Sequence, residues 1–371
     1  MEKEQKKSMI PAFFGIAAVW FGTHVGPGTA SGKQVTVYYN TYGKLGLFTP
    51  IAAMGLLGLA IYYALEYSRK NHLYDFKSFT NKFFHPYEKI FSIFFEISFL
   101  GAALLSPGVC IATSVQLFNQ HFGMNIWIGT IIIVALVIIM TMYGSELVKT
   151  VSTGLTVGIL ITLSIIAVLG IRAGAAAFSQ NWTASSFNDV PATAAVWSAI
   201  TYCGFQASGN LGAVISVADG INSKKDSFKA AMTGFVLNTL LLIVIAIMNY
   251  GFQPESLNEL IPNYYIITQL GIPVLRIIYV ILVVFAALST IIGFVNAVIQ
   301  RFGKFVKIED EKKRNFLIIA VMLFLDVMVS TLGIAAIINV GFRYLGLLSV
   351  PFVVIPFIYV GFKKSKKEIA D

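Results

Sequence analysis

Charge is scarce in this chain of 371 residues: Asp, Glu, Lys and Arg make up 12% of it, about half of the ~25% usual in soluble domains. Cysteine is nearly absent. Cys110 and Cys203 both fall in apolar stretches, which argues against a disulfide framework or a thiolate metal site. His24, His72, His85 and His121 are scattered without ligand spacing. HExxH, P-loop and GxSxG patterns are missing, so an enzyme is not expected. No polar stretch exceeds about twenty residues, which leaves no room for a soluble domain. The opening "MEKEQKKSMIPAFF" lacks a small-residue cleavage site, and no cleavable signal peptide is expected. Alternation of apolar and polar positions is missing from runs such as "WIGTIIIVALVIIMTMY", which excludes a β-barrel.

What is present is apolar length. Hydrophobic residues make up 57% of the chain and mean hydropathy is +0.77. Runs of about twenty apolar residues recur from end to end, the mark of an all-α polytopic membrane protein. About ten transmembrane helices are expected, at 9–41, 45–67, 87–119, 125–143, 147–171, 191–219, 227–250, 273–303, 314–333 and 340–362, in a single transmembrane domain spanning 1–371. With the N-terminus inside, all but five of the 27 Lys and Arg residues lie on the cytoplasmic side; Lys33, Lys44, Arg172, Arg276 and Arg343 are the five outside. Such asymmetry follows the positive-inside rule and places both termini in the cytoplasm of a multi-pass protein of the cell membrane. The net charge of +9 is therefore topological, and no nucleic-acid partner is expected.

The stretch "FGTHVGPGTASGK", residues 21–33, cannot be an ordinary span. Gly22, Gly26, Pro27, Gly28 and Gly32 crowd into eleven positions, and Gly and Pro are the poorest helix formers. Residues 9–22 supply roughly 21 Å of helix, short of the ~30 Å hydrocarbon core, and 29–41 supply a second piece. Backbone groups freed over 23–28 survive only inside protein or beside a polar cavity. Pro27 suits the first turn of the second half-helix. The segment 191–219 carries a similar interruption, "GFQASGN". Five spans precede it and none precede the first, which makes 9–171 and 191–362 two halves in inverted orientation. Paired interruptions at matching places point to the binding site of a secondary transporter.

The free N–H groups expected at 28–31 and 209–211 would attract a carboxylate, and the free carbonyls at 22–25 and 202–205 an ammonium group or bare cation. Substrate contacts are accordingly expected from Thr23, His24, Gly26, Gly28, Thr29, Ala30 and Ser31 in the first break. In the second they are expected from Tyr202, Gly204, Phe205, Gln206, Ser208 and Gly209, with Phe205, Gln206 and Ser208 setting side-chain selectivity. Ser106, Pro107 and Gly108 are expected to interrupt the third span at similar depth. Three ionisable residues lie within spans and are proton-coupling candidates: Glu96, His24 and Asp326. Residues 255–270 read as a lid helix, and 174–190 as a connector.

These residues resemble the amino acid–polyamine–cation superfamily with the LeuT fold, and within it the YkvI-type bacterial membrane proteins, a family of amino-acid permeases. The resemblance spans nearly the whole chain: ten helices in a 5+5 inverted repeat with helices 1 and 6 broken, "GPGTASGK", "GFQASGN", and the loop "VADGINSKKDSFKAA". It implies a symporter of a small amine-bearing solute, an amino acid above all, driven by sodium or protons through alternating access. Sodium-coupled members carry a Gly-x-x-x-Gly-x-Gly break that Gly22, Gly26 and Gly28 match in spacing. By that match the carbonyls of Gly22, Val25 and Ala286 and the hydroxyls of Ser289 and Thr290 would ligate sodium. Proton-coupled members place a lysine in mid-helix 5; residues 150–171 hold none, and Lys149 stands at the cytoplasmic end. Pro27 also departs from the pattern, at a position whose amide holds the substrate carboxylate in some members. Spore-germination receptor subunits share this architecture and sense amino acids without moving them, which is the rival expectation. No cofactor beyond a bound sodium ion is implied, and no partners beyond the small-molecule substrate and membrane lipid.

Overall fold

The computed structural model describes residues 11–143 and 145–370, with side chains described for all of these except 76, 143–157 and 366–370. The described residues are helical or irregular, with no strand among them. The helices, in chain order, are α1 Ala12–His24, α2 Pro27–Ala30, α3 Lys33–Tyr38, α4 Gly43–Gly46, α5 Thr49–Asn71 and α6 Phe76–Phe83. Then come α7 Glu88–Phe122, α8 Ile126–Tyr143, α9 Ser145–Ala184, α10 Ala192–Ile215, α11 Lys224–Tyr250, α12 Glu255–Asn258 and α13 Pro262–Gln269. The chain closes with α14 Pro273–Phe302, α15 Glu311–Ser330 and a last span in three pieces, α16 Ile334–Ala336, α17 Arg343–Ser349 and α18 Ile355–Ala370. Two π-helical turns, Ile337–Phe342 and Val350–Val354, join those pieces.

Six helices among the described residues are long and apolar enough to cross a membrane, on α5, α7, α9, α11, α14 and the α16–α18 run. The other four expected spans are helical but fall short for separate reasons. The first is cut in pieces, and α8 counts as a shorter apolar helix. In α10, polar Thr201, Gln206, Ser208 and Asn210 dilute the apolar residues, and all four are buried in protein rather than facing lipid. α15 opens on Glu311, Lys312, Lys313 and Arg314 and carries Asp326.

The first break is present. α1 ends at His24, Val25 and the extended Gly26 (φ −82°, ψ 178°) follow, and α2 starts at Pro27. Proline explains the position: it has no N–H to give Thr23, its ring clashes with that carbonyl, and it disfavours helical geometry in the residue before it. A second bend separates α2 from α3 at Gly32, which has φ +83°. A Cβ there would strike the Asn263 side chain, so glycine is required both for its backbone and for its lack of bulk.

The second break is not present: α10 runs as one helix through "GFQASGN". No proline lies within it, so only the ~1 kcal/mol cost of each glycine opposes the helix, and burial against its neighbours outweighs that. Gly204 serves instead for close approach, since its Cβ would run into the Gly346 carbonyl oxygen of α17; this is the small-residue packing common between membrane helices. Ser208 donates to the Phe205 carbonyl at 2.6 Å, and Asn210 Nδ2 donates to the Gln206 carbonyl at 2.8 Å. The expected free groups at 202–205 and 209–211 are thus absorbed within the helix.

Three smaller expectations also change. Pro107 sits inside an unbroken α7, with Gly108 pressed on Val329 and on the Asp326 carbonyl. Residues 174–184 continue α9 rather than forming a connector. The lid region is two short helices, α12 and α13. Of the stretch 217–231 expected as a loop, residues from Lys224 on belong to α11, which opens through a capping box made by Ser223 and Asp226. One turn on, Ser227 donates to Glu66 at 3.1 Å, which Arg69 also holds at 2.7 Å.

Candidate functional site

Around the first break, α1 packs on α10 and α11, and α2 packs on α7 and α14. The amides of Thr29, Ala30 and Ser31 are consumed by the Gly26 and Pro27 carbonyls. Gly28 keeps the one N–H of the expected 28–31 set that no described group accepts, and Pro27 has none to offer. On the other side of the gap, the Gly22, Thr23 and Val25 carbonyls receive no hydrogen bond from a described residue, while the His24 carbonyl accepts from Thr29 Oγ1 at 3.3 Å. The carbonyl half of the expectation is therefore met more fully than the amide half.

Side chains supply the rest of the polarity. His24 is buried, and its Nε2 lies 2.9 Å from the Tyr202 hydroxyl. Tyr202 reaches Gln34 Oε1 at 3.5 Å, and Thr29 donates to the same oxygen at 2.8 Å. Asn238 of α11 lies beside the imidazole, yet His24 Nδ1 and Asn238 Oδ1 are both buried without a partner in hydrogen-bonding geometry. Thr23 donates to Asn210 Oδ1, and Asn210 Nδ2 also reaches Gln206 Oε1 at 3.0 Å. Two chains of contacts thus tie the broken helix to the unbroken one. Buried polar groups in such number rigidify a site when matched and mark it for a ligand when they are not.

Between them lies a cavity of about 60 Å³. At roughly 30 Å³ per water molecule it has room for about two, and it falls well short of the ~300 Å³ of a typical ligand pocket. Of the expected substrate residues, Thr23, His24, Gly26, Gly28, Phe205, Gln206 and Gly209 line it. Thr29 and Tyr202 stand directly behind, as partners of Gln34. Four expected residues lie elsewhere. The Ala30 carbonyl accepts from Asn263 and Tyr279, both at 2.9 Å; Ser31 donates to the Gly28 carbonyl at 2.8 Å; Gly204 faces α17; Ser208 bonds back to its own helix.

Gln34, Asn210, Phe294 and Phe342 also line the cavity and were not anticipated. Asn210 could have been found as a carboxamide inside a membrane span. Phe342, stacked on Phe205 with ring centroids 3.9 Å apart, carried no sequence signal among 30 phenylalanines.

Of the expected sodium ligands, Thr290 borders the cavity and donates to the Ala286 carbonyl at 2.9 Å. Gly22 and Val25 contribute the unclaimed carbonyls named above. The proton candidates separate clearly. Glu96 is 43% exposed at its side chain and paired with Arg301 at 2.9 Å, which removes the argument from an unpaired buried charge. Asp326 is fully buried, and neither carboxylate oxygen has a hydrogen-bond partner among the described residues. The side chain of Lys149 lies outside the described residues.

The architecture is the LeuT fold of helical membrane proteins. It superposes on a substrate-bound, outward-open Na+-coupled sialic acid symporter with a TM-score of 0.66, at 14% identity, covering 95% of this chain and 90% of the other. It superposes on MhsT in complex with L-phenylalanine with a TM-score of 0.62, at 15% identity, covering 97% of each chain. For the Eremococcus coleocola manganese transporter the TM-score is 0.58, at 13% identity, covering 96% of this chain and 80% of the other. In sequence the chain is similar to the uncharacterized membrane protein YkvI of Bacillus subtilis, 21% identical over 347 residues, covering 91% of this chain and 93% of that one. No family model matches the chain.

Proposed function

We propose that this protein is a secondary-active transporter of a small amine-bearing solute, with an amino acid as the solute class, bound at the gap between α1 and α2. The observation that carries the reading is the break itself: Thr23 and Gly28 line a cavity inside the bundle with the Thr23 carbonyl and the Gly28 amide unclaimed by any described residue, and the unclaimed Gly22 and Val25 carbonyls lie beside them in the chain. Carbonyls suit an ammonium group. The single amide, helped by the Gln206 and Asn210 carboxamides, suits a carboxylate. The folds it shares carry sialic acid, L-phenylalanine and manganese as their described substrates or ligands. Transition metals favour imidazole, thiolate or carboxylate clusters, and among the described residues no three His, Cys, Asp or Glu side chains come together. An organic solute is therefore favoured over a metal cargo.

A cavity of about 60 Å³ is too small for an amino acid, so binding requires the lining helices to part. Alternating access between two inverted halves, 9–171 and 191–362, supplies that movement. The donor set also fits a sodium ion: the Gly22, Val25 and Ala286 carbonyls with the Ser289 and Thr290 hydroxyls are all hard oxygen ligands. Sodium would supply the driving gradient and order the break when bound. Asp326 is the counterpart for a proton, being the carboxyl group that burial isolates. Both termini facing the cytoplasm of the cell membrane completes the proposal.

The test is uptake by purified protein in liposomes, screened over amino acids under an inward sodium or proton gradient. Gradient-driven accumulation is the expected result. Ligand binding without uptake would replace the transporter by a sensor. Ser289→Ala/Thr290→Ala should abolish the sodium response, and Asp326→Asn the proton response; whichever leaves its gradient dependence intact is removed from the coupling mechanism.

A further inference from the structure

A second, larger recess opens where α6 and the start of α7 meet the ends of α5 and α18. Its volume is about 750 Å³, and Tyr67, Lys82, His85, Glu88, Lys89 and Lys364 line it together with Asn81. We propose that this recess binds the phosphate headgroup of an anionic membrane lipid. It does not depend on the transport reading, because it shares no residue with the cavity at the helix break.

Tyr67, which lines the recess, is backed by a cluster of aromatic rings. Phe79 stacks on Phe83 and on Phe357, with centroids 5.1 and 5.7 Å apart, and Tyr67 meets Phe83 edge-on at 4.9 Å. Lys364 Nζ is held over that cluster, 3.1 Å from the Lys82 carbonyl and 3.3 Å from the Tyr67 hydroxyl, with the Tyr67 ring 4.8 Å beneath it. Its ammonium is therefore placed before any anion arrives. Lys82 and Lys89 are exposed at the rim, and neither has a carboxylate within ion-pair distance among the described residues. Glu88, the one acidic residue of the lining, lies 3.4 Å from His85. Lys82 and Lys89 thus bring two rim ammonium groups to a lining whose one carboxylate already has a neighbour.

What makes the anion a lipid is the surface that continues from the recess. Lys89 stands one helical turn before Ile93, and Ile90, Ile93, Ile97 and Leu100 form an exposed apolar stripe along α7. A headgroup at Lys82, Lys89 and Lys364 would lay its acyl chains on that stripe. The recess also lies in the 69–89 and C-terminal regions, where the Lys and Arg residues concentrate, and basic pockets at that membrane face are suited to anionic headgroups.

The test is native mass spectrometry of the detergent-solubilised full chain, titrated with dioctanoyl phosphatidylglycerol, dioctanoyl phosphatidylcholine or inorganic phosphate. Phosphatidylglycerol should bind the parent protein in preference to the other two. Lys82→Gln/Lys89→Gln should weaken it on the order of thirtyfold, while Lys312→Gln/Lys313→Gln, which removes equal charge at the start of α15, should leave it unchanged. Equal loss in both double variants would reduce the effect to diffuse charge and overturn the site. Inorganic phosphate binding as tightly as the lipid would overturn the lipid assignment, and undiminished lipid binding by the Lys82/Lys89 variant would overturn the proposal altogether.

Discussion

Two glycine-rich segments, 21–33 and 204–210, look alike as strings of residues and fold oppositely. The first comes apart at Val25 and Gly26; the second is the middle of an unbroken α10. The difference is Pro27. Glycine makes a break inexpensive, at about 1 kcal/mol per residue, but proline makes it necessary by deleting a donor and blocking the preceding turn. In α10 the glycines serve other ends: Gly204 lets α17 come to backbone contact, while Gly209 has nothing within 4 Å of where a Cβ would be. A gap in the bilayer therefore needs a residue that cannot make the helical bond, beyond residues that merely make it weakly.

The most severe test of this contrast is at Gly204. Gly204→Val should abolish the folded protein, because even a Cβ collides with a backbone oxygen that has no room to retreat; a monodisperse, stable variant by size exclusion and thermal unfolding would show that α10 and α17 are not packed as described. Next comes Pro27→Ala, which restores the missing N–H. It should leave the protein folded but lower uptake at least on the order of a hundredfold, as a longer α1 claims the Thr23 carbonyl proposed to hold the solute. Unchanged uptake would dissociate the gap from binding.

Smaller effects probe how the two helices share the cavity. Tyr202→Phe removes the hydroxyl between His24 and Gln34 and should weaken solute binding roughly tenfold, about the net value of one buried hydrogen bond. Gly209→Ala should be neutral or stabilising by about 0.5–1 kcal/mol, as expected for an unstrained helical glycine, while lowering solute affinity by taking cavity volume. Glu96→Gln should do least. Its ion pair with Arg301 is partly solvated, so stability should fall by no more than about 1 kcal/mol, with the pH dependence of uptake unchanged; a lost pH dependence would return Glu96 to the coupling mechanism.

The legibility of the site followed the same divide. Thr23, His24, Gly26 and Gly28 were readable because a proline so deep in an apolar run leaves the helix little choice but to open beside it. Gln206 and Gly209 were named for a break that does not exist, yet they line the cavity, since the polar face of α10 turns toward α1 whether or not the helix is cut. Gln34 and Phe342 lie far apart in the chain and reach the cavity only through the packing of α3 and the final span. Glu96 and Asp326 looked equivalent as carboxylates within spans. Their neighbours separate them: Arg301 pairs with one, and no described residue makes a hydrogen bond to the carboxylate of the other.

The order of residues was enough to set the helical membrane class, the approximate places of the long apolar helices and the point where the first apolar run must open. These are local matters, governed by apolar length against bilayer thickness and by one residue's missing donor. Packing between helices decided the rest: that α10 stays whole, which buried polar groups share a cavity and which carboxylate is buried without a hydrogen bond from a described residue. Each of these depends on what another helix brings within a few ångströms, and the pattern along one helix does not record that.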